Sequence, residues 1–363
     1  MYSMSTLLYR PDWEEARDRL TRWWHGEDLG RAMLQIATPR EVVVEPIEQM
    51  PVPPGVICPN YTARDIDFRV NLARRQAADI CYFGEAVPRA LPGDLGPNTL
   101  ALFLGCDGVE MPGTVWFRPC ITDTDSFALR YDPDNFYWQV CKRLHEESLK
   151  FSSGKWLHQF PDLIEGLDTL AALRGSQQLL VDLLDRPEWV HTCLQQITQL
   201  YFRYYDVLYD LIRDEIGGSV FWCWAPGRLG KLQCDISCSI SPAMFRDFMM
   251  PVLQEMTERT SYSLYHLDGP AATVHLEALL SLPRLGMVQW IPGAGVEPAW
   301  HSRYWPMYHD IIEAGKRVMI FLDDVKQLSE LKREFAEKSQ SFIISVYVHT
   351  PAEAQRCIKM MEL

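Results

Sequence analysis

The chain has 363 residues, of which 47% are hydrophobic, and this is enough for one large domain with a sizeable buried core. Its formal charge of −13 at pH 7 argues against nucleic acid or an anionic membrane surface as a partner, because both require a basic face. The cysteines form no Cys-x-x-Cys pair, and we find no signal-peptide core and no apolar run long enough to span a bilayer. We therefore expect a soluble cytoplasmic protein with reduced cysteines.

Residues 1–78 differ from the rest of the chain and predict an N-terminal helical extension that caps the main body. Its predicted elements are a helix near 13–25, a short strand at 33–37, a proline-rich passage at 46–59 and a second helix over 63–78. We expect this cap to lie against a domain formed by residues 79–363.

From residue 79 onward, short apolar runs alternate with helical segments, a pattern typical of parallel strands covered by helices. The eight predicted strands are 79–84, 157–162, 177–182, 219–224, 262–267, 286–291, 317–322 and 342–348. Helix starts are indicated at Ser241-Pro242 and at the capping box Thr350-Pro351-Ala352-Glu353. Eight strands favour an α/β fold of the (β/α)8 TIM-barrel type. An open doubly wound sheet is the alternative, although its glycine-rich phosphate fingerprint is missing after the first strand.

The gap between the first two predicted strands, residues 86–156, is too long for a simple connection and predicts an insertion after the first barrel strand. Within it, residues 114–117 and 127–130 are able to pair as a hairpin over the barrel mouth. Its aromatic residues suit a flat apolar ligand, or they simply pack the insertion onto the body.

The carboxyl ends of barrel strands usually carry the catalytic side chains. His266 and Asp268 end one predicted strand two residues apart, so both side chains leave on the same face as an acid/base pair or as two ligands of a metal. Asp235 lies among apolar neighbours before the Ser241-Pro242 helix, where a carboxylate binds a ligand N–H or acts as a base. The alternative for all three residues is a purely structural role, in which they only organise turns.

Other strand ends supply candidates for substrate binding, and the tryptophans among them would shape the pocket. These candidates are Glu85, Trp222, Trp224, Gln289 and Trp290. Further polar residues near predicted strand ends are Asp162, Glu165, Asp168, Asp323, Asp324 and His349.

Three stretches carry a family resemblance, and the ordered pattern that contains them covers residues 79–363. They are Asp235 with Ile240-Ser241-Pro242-Ala243-Met244-Phe245-Arg246-Asp247-Phe248, then Tyr265-His266-Leu267-Asp268-Gly269, and then Met287-Val288-Gln289-Trp290-Ile291-Pro292-Gly293. In these stretches the chain resembles the superfamily of uroporphyrinogen decarboxylase and the cobalamin-dependent methyltransferases. The resemblance implies a (β/α)8 barrel.

The decarboxylase branch of this superfamily implies a cofactor-free enzyme that holds a tetrapyrrole with an aspartate and binds its carboxylates with arginines. Its motif Arg-Gln-Ala-Gly-Arg-Tyr-Leu-Pro is absent here, because Arg75-Gln76-Ala77 continues as Ala78-Asp79-Ile80 in a predicted helix. This departure argues against uroporphyrinogen as the substrate.

The thiol methyltransferase branch implies zinc held by a His-x-Cys pair and a distant cysteine, with a metal-bound thiolate as the nucleophile. This chain has His266 but carries Asp268 at the cysteine position, and its last strand offers Ser345 and His349 instead of a cysteine. A harder, oxygen-rich metal site would result.

These resemblances leave three functions open. The first is methyl transfer linked to a corrinoid carrier, with zinc held by His266 and Asp268, with Asp235 beside them and with a corrinoid protein as the partner. The second is a cofactor-free decarboxylase or lyase that acts on a tetrapyrrole-like or smaller carboxylated substrate, with Asp235 handling the proton and His266 as its partner. The third is a non-catalytic barrel that binds a corrin or porphyrin. A small-molecule substrate and a homodimer are compatible with the sequence.

Overall fold

The computed structural model describes residues 6–125, 128–322 and 324–362. Its strands are β1 (Met33–Pro39), β2 (Ile80–Gly84), β3 (Arg89–Ala90), β4 (Asp107–Met111), β5 (Thr114–Arg118), β6 (Leu157–His158), β7 (Ser219–Phe221), β8 (Cys223–Ala225), β9 (Leu229–Gln233), β10 (Tyr262–Asp268), β11 (Met287–Ile291), β12 (Arg317–Leu322) and β13 (Phe342–Tyr347). Its α-helices are α1 (Trp13–Trp24), α2 (Ile66–Ala78), α3 (Thr99–Phe103), α4 (Phe136–Ser152), α5 (Gly166–Arg174), α6 (Ser176–Asp185), α7 (Pro187–Ile212), α8 (Pro242–Phe248), α9 (Met250–Arg259), α10 (Leu276–Leu280), α11 (Trp305–Glu313), α12 (Lys326–Glu334) and α13 (Pro351–Glu362).

A central seven-stranded sheet organises this mixed α/β fold. Its strand order is β2-β1-β13-β12-β11-β10-β9, and all neighbours are parallel except β2, which runs antiparallel to β1 at one edge. In this register His266 on β10 lies opposite Gln289 on β11 and Gln233 on β9. Side chains at matched positions of parallel strands share a face, so these three polar residues meet near the carboxyl edge of the sheet.

Hydrogen bonds do not close this sheet into a ring within the described ranges. The pairs β3–β6 and β7–β8 are not part of the central sheet. A single bridge between Gln159 and Val220 connects these two pairs to each other. Prolines explain why β3 and β6 are so short, because Pro88 and Pro92 flank β3 and Pro161 follows β6, and each removes a ladder N–H donor. The α/β class is confirmed, whereas the closed TIM barrel stays a prediction.

Most of the predicted strands are present near their expected positions, but one is a helix, one is a hairpin, and β3, β4 and β9 were not predicted. Residues 177–182 belong to helix α6, whose Leu179 and Leu183 are buried at helical spacing. Residues 219–224 form a tight hairpin, β7–β8, instead of one strand. Strand β9 was not predicted, because Gly230, Lys231 and Gln233 interrupt its apolar pattern.

The N-terminal strand predicted at 33–37 lies inside the central sheet, between β2 and β13. Helix α1 buries Trp13, Leu20 and Trp23 in the main hydrophobic core. The division of the chain at residue 78 remains a prediction, but the first segment supplies a strand to the same sheet as the later segments.

The insertion after β2 contains a hairpin, although not the one expected. Strand β5 pairs with β4 through the turn Pro112-Gly113, where Gly113 has a φ of +79°. The expected partner segment 127–130 forms no strand at residues 128–130, and Phe127 lies outside the described residues.

Two predicted helix starts are confirmed by their capping hydrogen bonds. The Ser241 side chain accepts a hydrogen bond from the Met244 N–H at 3.2 Å, and Thr350 and Glu353 cap each other's backbone N–H groups at 3.2 and 3.1 Å. None of the helices described is long and apolar enough to cross a membrane.

Candidate active site

The three residues predicted to be catalytic lie together at the carboxyl edge of the sheet. Asp235 opens a short 3-10 turn after β9, and His266 and Asp268 end β10. One potential ligand atom from each residue lies within 4.8 Å of the other two, and the His266 Nε2 to Asp268 Oδ2 distance is 3.9 Å. His266 is half-buried, whereas both carboxylates face solvent. The cluster therefore offers one nitrogen and two carboxylates to a ligand or ion.

Gln289 sets the chemical form of His266. The Gln289 side-chain oxygen lies within hydrogen-bonding distance of His266 Nδ1, and an amide oxygen only accepts, so Nδ1 carries the proton. His266 Nε2 then carries a free lone pair, and this atom lies on the side of Asp268. Burial and, next, the charge of Lys231 lower the pKa of His266 and outweigh the opposing effects of Gln289 and Asp268. The imidazole is therefore neutral near pH 7, the form that binds a metal.

A polar network below the cluster fixes the loop that carries Asp235. Asp168 accepts hydrogen bonds from the backbone N–H groups of Asp235 and Ile236 at 2.7 and 2.9 Å. Gln233 donates from its side-chain nitrogen to Asp235 at 3.0 Å and to Asp168 at 3.3 Å. Asp235 opens to solvent on one side only, and the surrounding protein first, then the Asp168 charge, raise its pKa to about 7.

Lys231 places a buried positive charge beside the cluster. Its ammonium group donates to Asp162 at 2.7 Å and to the Gln233 side-chain oxygen, and it lies 5.6 Å from the centre of the Trp222 ring. The sequence prediction missed Lys231 because it missed strand β9. The alternation of Lys231 and Gln233 with apolar Leu232 was the signal that could have revealed it.

Trp222 is, besides Gln289, a predicted substrate-binding residue that contacts the cluster. Its ring meets the His266 ring edge-on at 5.4 Å and the Phe321 ring at 5.7 Å. Trp222 is the turn residue of the β7–β8 hairpin, with a φ of 56°, a conformation that costs a bulky residue about 1–2 kcal/mol. The backbone N–H of Trp222 donates to Gln159 at 3.1 Å, which helps to hold this strained turn.

Glu85, also predicted to bind substrate, is fully buried and bonded through both oxygens. One oxygen binds Arg19 at 2.7 Å and Arg31 at 2.8 Å, and the other binds Arg31 at 3.0 Å and the Leu34 N–H at 2.8 Å. No surface of this carboxylate is available to a substrate, and we assign it a structural role.

Trp224 and Trp290 also lie away from the site, for a simple geometric reason. Side chains alternate along a strand, so Trp290 faces the helices opposite to Gln289 and packs against Tyr304 at 5.2 Å. Trp224 is fully buried and donates to Asp214 at 2.7 Å. Only Trp222 and Gln289 of the five predicted substrate-binding residues are brought to the cluster.

The remaining strand-end residues have other roles or lie elsewhere. Asp324 caps α12 by accepting from the Lys326 N–H at 2.9 Å, and the His349 backbone is bonded to Glu353. Asp323 lies outside the described residues. Cys223 and Cys234 are buried thiols that join no metal-binding group in the part of the chain that is described.

Two cavities lie near the cluster. One of about 400 Å³ is lined by Trp222, Phe321 and Arg89 at the carboxyl ends of β1, β12 and β13. The other, of about 630 Å³, lies between the β4–β5 hairpin and the loop that carries Asp235, with Trp116 in its wall. Asp235 therefore opens onto one cavity, and Trp222, which contacts His266, opens onto the other.

Glu165 is a fully buried carboxyl group behind this network. One oxygen accepts the Gln233 backbone N–H at 2.9 Å, and the other has no hydrogen-bond partner among the described residues. Burial raises the pKa of Glu165 to about 8, with Asp168 contributing in the same direction, although the Gln233 hydrogen bond and the Lys231 charge oppose the rise. The group is therefore largely protonated at neutral pH.

We expect Glu165→Gln to weaken the pH dependence of stability. Because the folded pKa of Glu165 lies above the ordinary value of 4.5, its contribution is complete below about pH 4.5 and is lost as the pH rises to about 8. Over this window the wild-type free energy of unfolding should fall by a few kcal/mol more than that of the variant, since one pKa unit corresponds to ~1.4 kcal/mol. Urea unfolding at several pH values measures this difference.

The matched control for this prediction is Glu258→Gln, because Glu258 is exposed on α9. We expect this control to reproduce the wild-type pH dependence. If the free energies of unfolding of Glu165→Gln and the wild type changed in parallel with pH, this result would contradict the protonated state of Glu165.

Comparison with known proteins identifies a structural neighbour. No family model and no curated protein matches the sequence. Among solved structures, a methyltransferase from Methanosarcina mazei is similar, with a TM-score of 0.60 over 96% of this chain and 98% of that chain, at 12% sequence identity. At this identity the likeness establishes a shared fold along nearly the whole length of both chains.

Proposed function

We propose that this protein is an enzyme that transfers a methyl group, and that a divalent metal ion, zinc in the first instance, is held by Asp235, His266 and Asp268. The observation that carries the proposal is the convergence of these three side chains within 4.8 Å at the strand ends. The similar fold of a methyltransferase adds support from a separate source.

The residues present fit such an ion in number, type and arrangement. Zinc binds imidazole nitrogen and carboxylate oxygen at about 2.0–2.2 Å, and its catalytic sites have three protein ligands and one open position. The His266 Nε2 to Asp268 Oδ2 distance of 3.9 Å requires only small side-chain rotations to bring both atoms to such an ion. The absence of sulfur from the set suits a harder ion than a thiolate site does. When bound, the ion would act as a Lewis acid on the heteroatom that gains or loses the methyl group.

The protein's own side chains orient this ligand set. Gln289 keeps the His266 Nε2 lone pair free, and Gln233 and Asp168 hold the loop and the side chain of Asp235. Lys231, which is paired with Asp162, disfavours imidazolium at His266 and opposes the rise in the pKa of Asp235. His266 and Asp235 are therefore positioned before any ion binds.

We further propose that a corrinoid carrier is the second methyl-transfer partner. Asp235 lines one cavity, and Trp222, which contacts His266, lines another, and two separate cavities suit a reaction between two partners. The larger cavity, beside Trp116 and Asp235, is the candidate face for a corrinoid presented by another protein, and the smaller one would hold the small-molecule substrate. In this proposal the chain belongs to the uroporphyrinogen decarboxylase and cobalamin-dependent methyltransferase superfamily. The short strands β3 and β6 would then complete its barrel.

An anaerobic assay with cob(I)alamin tests methyl transfer. Zinc-loaded protein is mixed with cob(I)alamin and a panel of small methyl ethers, methyl thioethers and methylamines, and formation of methylcobalamin is followed by its absorbance. In a productive reaction the bond from carbon to the heteroatom breaks, the methyl group passes to cobalt, and the heteroatom takes up a proton. We expect turnover with at least one donor class. Zinc-dependent release of carbon dioxide from carboxylated compounds, without methylcobalamin, would contradict the proposal.

Decarboxylation is the second candidate, and the state of Asp235 favours it. A carboxyl group with a pKa of about 7 at the mouth of a cavity is able to give a proton to a developing carbanion. This reaction needs no metal. Carbon dioxide release that persists in EDTA and is lost in Asp235→Asn would establish it, whereas a metal-dependent methyl transfer would exclude it as the main activity.

A further inference from the structure

The 400 Å³ cavity beside Trp222 contains an arginine that pairs with no carboxylate among the described residues. Arg89 begins strand β3, and its side chain is half-buried in the cavity wall. One guanidinium nitrogen donates to the Gln159 side-chain oxygen at 2.5 Å. No described carboxylate lies within 4 Å of this guanidinium, and burial lowers the pKa of Arg89 with only Tyr82 and Cys223 opposing it.

Other buried and half-buried arginines in the described parts of the chain are satisfied in place. Arg31 is paired with Glu85 and Arg174 with Asp182, at 2.8 and 2.7 Å, and Arg69 donates to three backbone carbonyl oxygens. A guanidinium has five N–H donors, and Arg89 uses one nitrogen in a hydrogen bond within the described structure. Its other donors are therefore available to a ligand, and an unpaired buried charge strongly favours an oppositely charged one.

The rest of the cavity is mostly apolar and aromatic, and its polar side chains include Gln35, Gln76 and Ser345, which are uncharged. Its described lining includes Trp222, Phe321, Tyr82 and Val87, and it contains no acidic side chain although the whole chain carries a formal charge of −13. A volume of about 400 Å³ is of the size that holds a small molecule. The cavity thus combines one cation with flat apolar walls.

We propose that this cavity binds the methylated substrate through a carboxylate, which pairs with Arg89 while the apolar body of the substrate packs against Trp222 and Phe321. This inference rests on the methyl-transfer function proposed above. Trp222 contacts both the cavity and His266, so a ligand anchored at Arg89 extends along Trp222 and presents its opposite end to the cluster. The substrate class is a small apolar monocarboxylate that carries its methyl group at the end remote from the carboxylate.

Benzoate and its neutral isostere benzamide test this inference by binding alone. Both are titrated into the full chain in the presence of EDTA, with tryptophan fluorescence or calorimetry as the readout. We expect benzoate to bind at least ~10-fold more tightly than benzamide, because a charge-assisted bidentate pair is much stronger than a neutral hydrogen bond. This comparison uses the wild-type protein, so it does not depend on whether any variant folds.

Variants of Arg89 test whether this residue causes the preference for benzoate over benzamide. Arg89→Gln should weaken benzoate binding ~10–100-fold and leave benzamide nearly unchanged, and Arg89→Lys should lie between, because lysine keeps the charge but not the planar fork. The control Arg246→Gln removes an exposed arginine on α8 and should bind as the wild type does. Equal affinity of the wild type for the two probes, no binding of benzoate, or unchanged affinity in Arg89→Gln would overturn the inference.

Because the binding test is done in EDTA, it needs no bound metal, and it therefore tests the carboxylate site separately from metal-dependent methyl transfer. Loss of the carboxylate preference with intact methyl transfer would refute only the substrate class. An intact preference without metal binding or methyl transfer would refute the proposed function and leave a carboxylate-binding cavity.

Discussion

Replacing His266 with alanine is expected to lower the affinity of the protein for zinc at least ~100-fold, since loss of a metal ligand should exceed the ~10–100-fold effect of removing a residue that only orients a ligand. His266 supplies the only nitrogen of the described ligand cluster, and its Nε2 is held free by the bond from Nδ1 to Gln289. Methyl transfer should disappear with the metal. Competition against a chromophoric chelator, with protein purified without a metal-binding tag and stripped with EDTA, measures the affinity.

Two further variants make this result specific. His191→Ala removes an exposed histidine on α7, which stacks on Phe248, and should leave zinc affinity unchanged. Gln289→Leu keeps His266 but removes the acceptor at Nδ1, and we expect a ~10–100-fold weaker site. Wild-type affinity in His266→Ala would show that any bound zinc is held elsewhere.

Replacing Glu85 with alanine is expected to lower the free energy of unfolding by about 3–5 kcal/mol, because it leaves a buried arginine charge without its partner. Arg31 has only 11% of its side chain exposed and binds Glu85 through two nitrogens. Burial alone would raise the pKa of Glu85, but the hydrogen bonds and charges of Arg31 and Arg19 outweigh it and hold the pKa below its ordinary value. Chemical denaturation at pH 7 measures the loss.

The matched control is an exposed ion pair between Arg246 and Glu277. The Glu277 side chain is 89% exposed and lies 3.3 Å from Arg246, so Glu277→Ala should change stability by less than ~1 kcal/mol. Because the folded pKa of Glu85 is depressed, its contribution is present above pH 4.5 and is lost as the pH falls below that value. A Glu85→Ala protein as stable as Glu277→Ala would contradict the structural role assigned to Glu85.

The strands of the central sheet were largely predictable, because most are short apolar runs with clear boundaries. The failures have identifiable causes. Helix α6 resembles a strand in composition, and only the helical spacing of its buried Leu179 and Leu183 distinguishes the two. Strand β9 was not recognised because the polar residues Lys231 and Gln233 interrupt its apolar pattern. These residues are polar because they form hydrogen bonds within the site.

The candidate cluster of Asp235, His266 and Asp268 was predictable in part. The spacing of His266 and Asp268 on one strand indicates a shared face, and Asp235 was also predicted as a candidate, but its distance from the other two residues is given only by the structure. The tryptophan that faces the site is determined by the alternation of side chains along the strands and by the hairpin turn at Trp222. No sequence pattern predicted the positive φ of Trp222. The pairing of Glu85 with Arg19 and Arg31 joins distant parts of the chain and was beyond local pattern reasoning.

The most direct test of the central claim is X-ray absorption spectroscopy at the zinc edge on the stoichiometric zinc complex, compared with Asp268→Asn. The account predicts one zinc per chain, with nitrogen and oxygen ligands at about 2.0–2.2 Å, no sulfur ligand, and a changed ligand shell in the variant. Failure to bind one zinc per chain, a sulfur distance near about 2.3 Å, or a ligand shell unaltered by Asp268→Asn would contradict the assignment of Asp235, His266 and Asp268 as the metal centre.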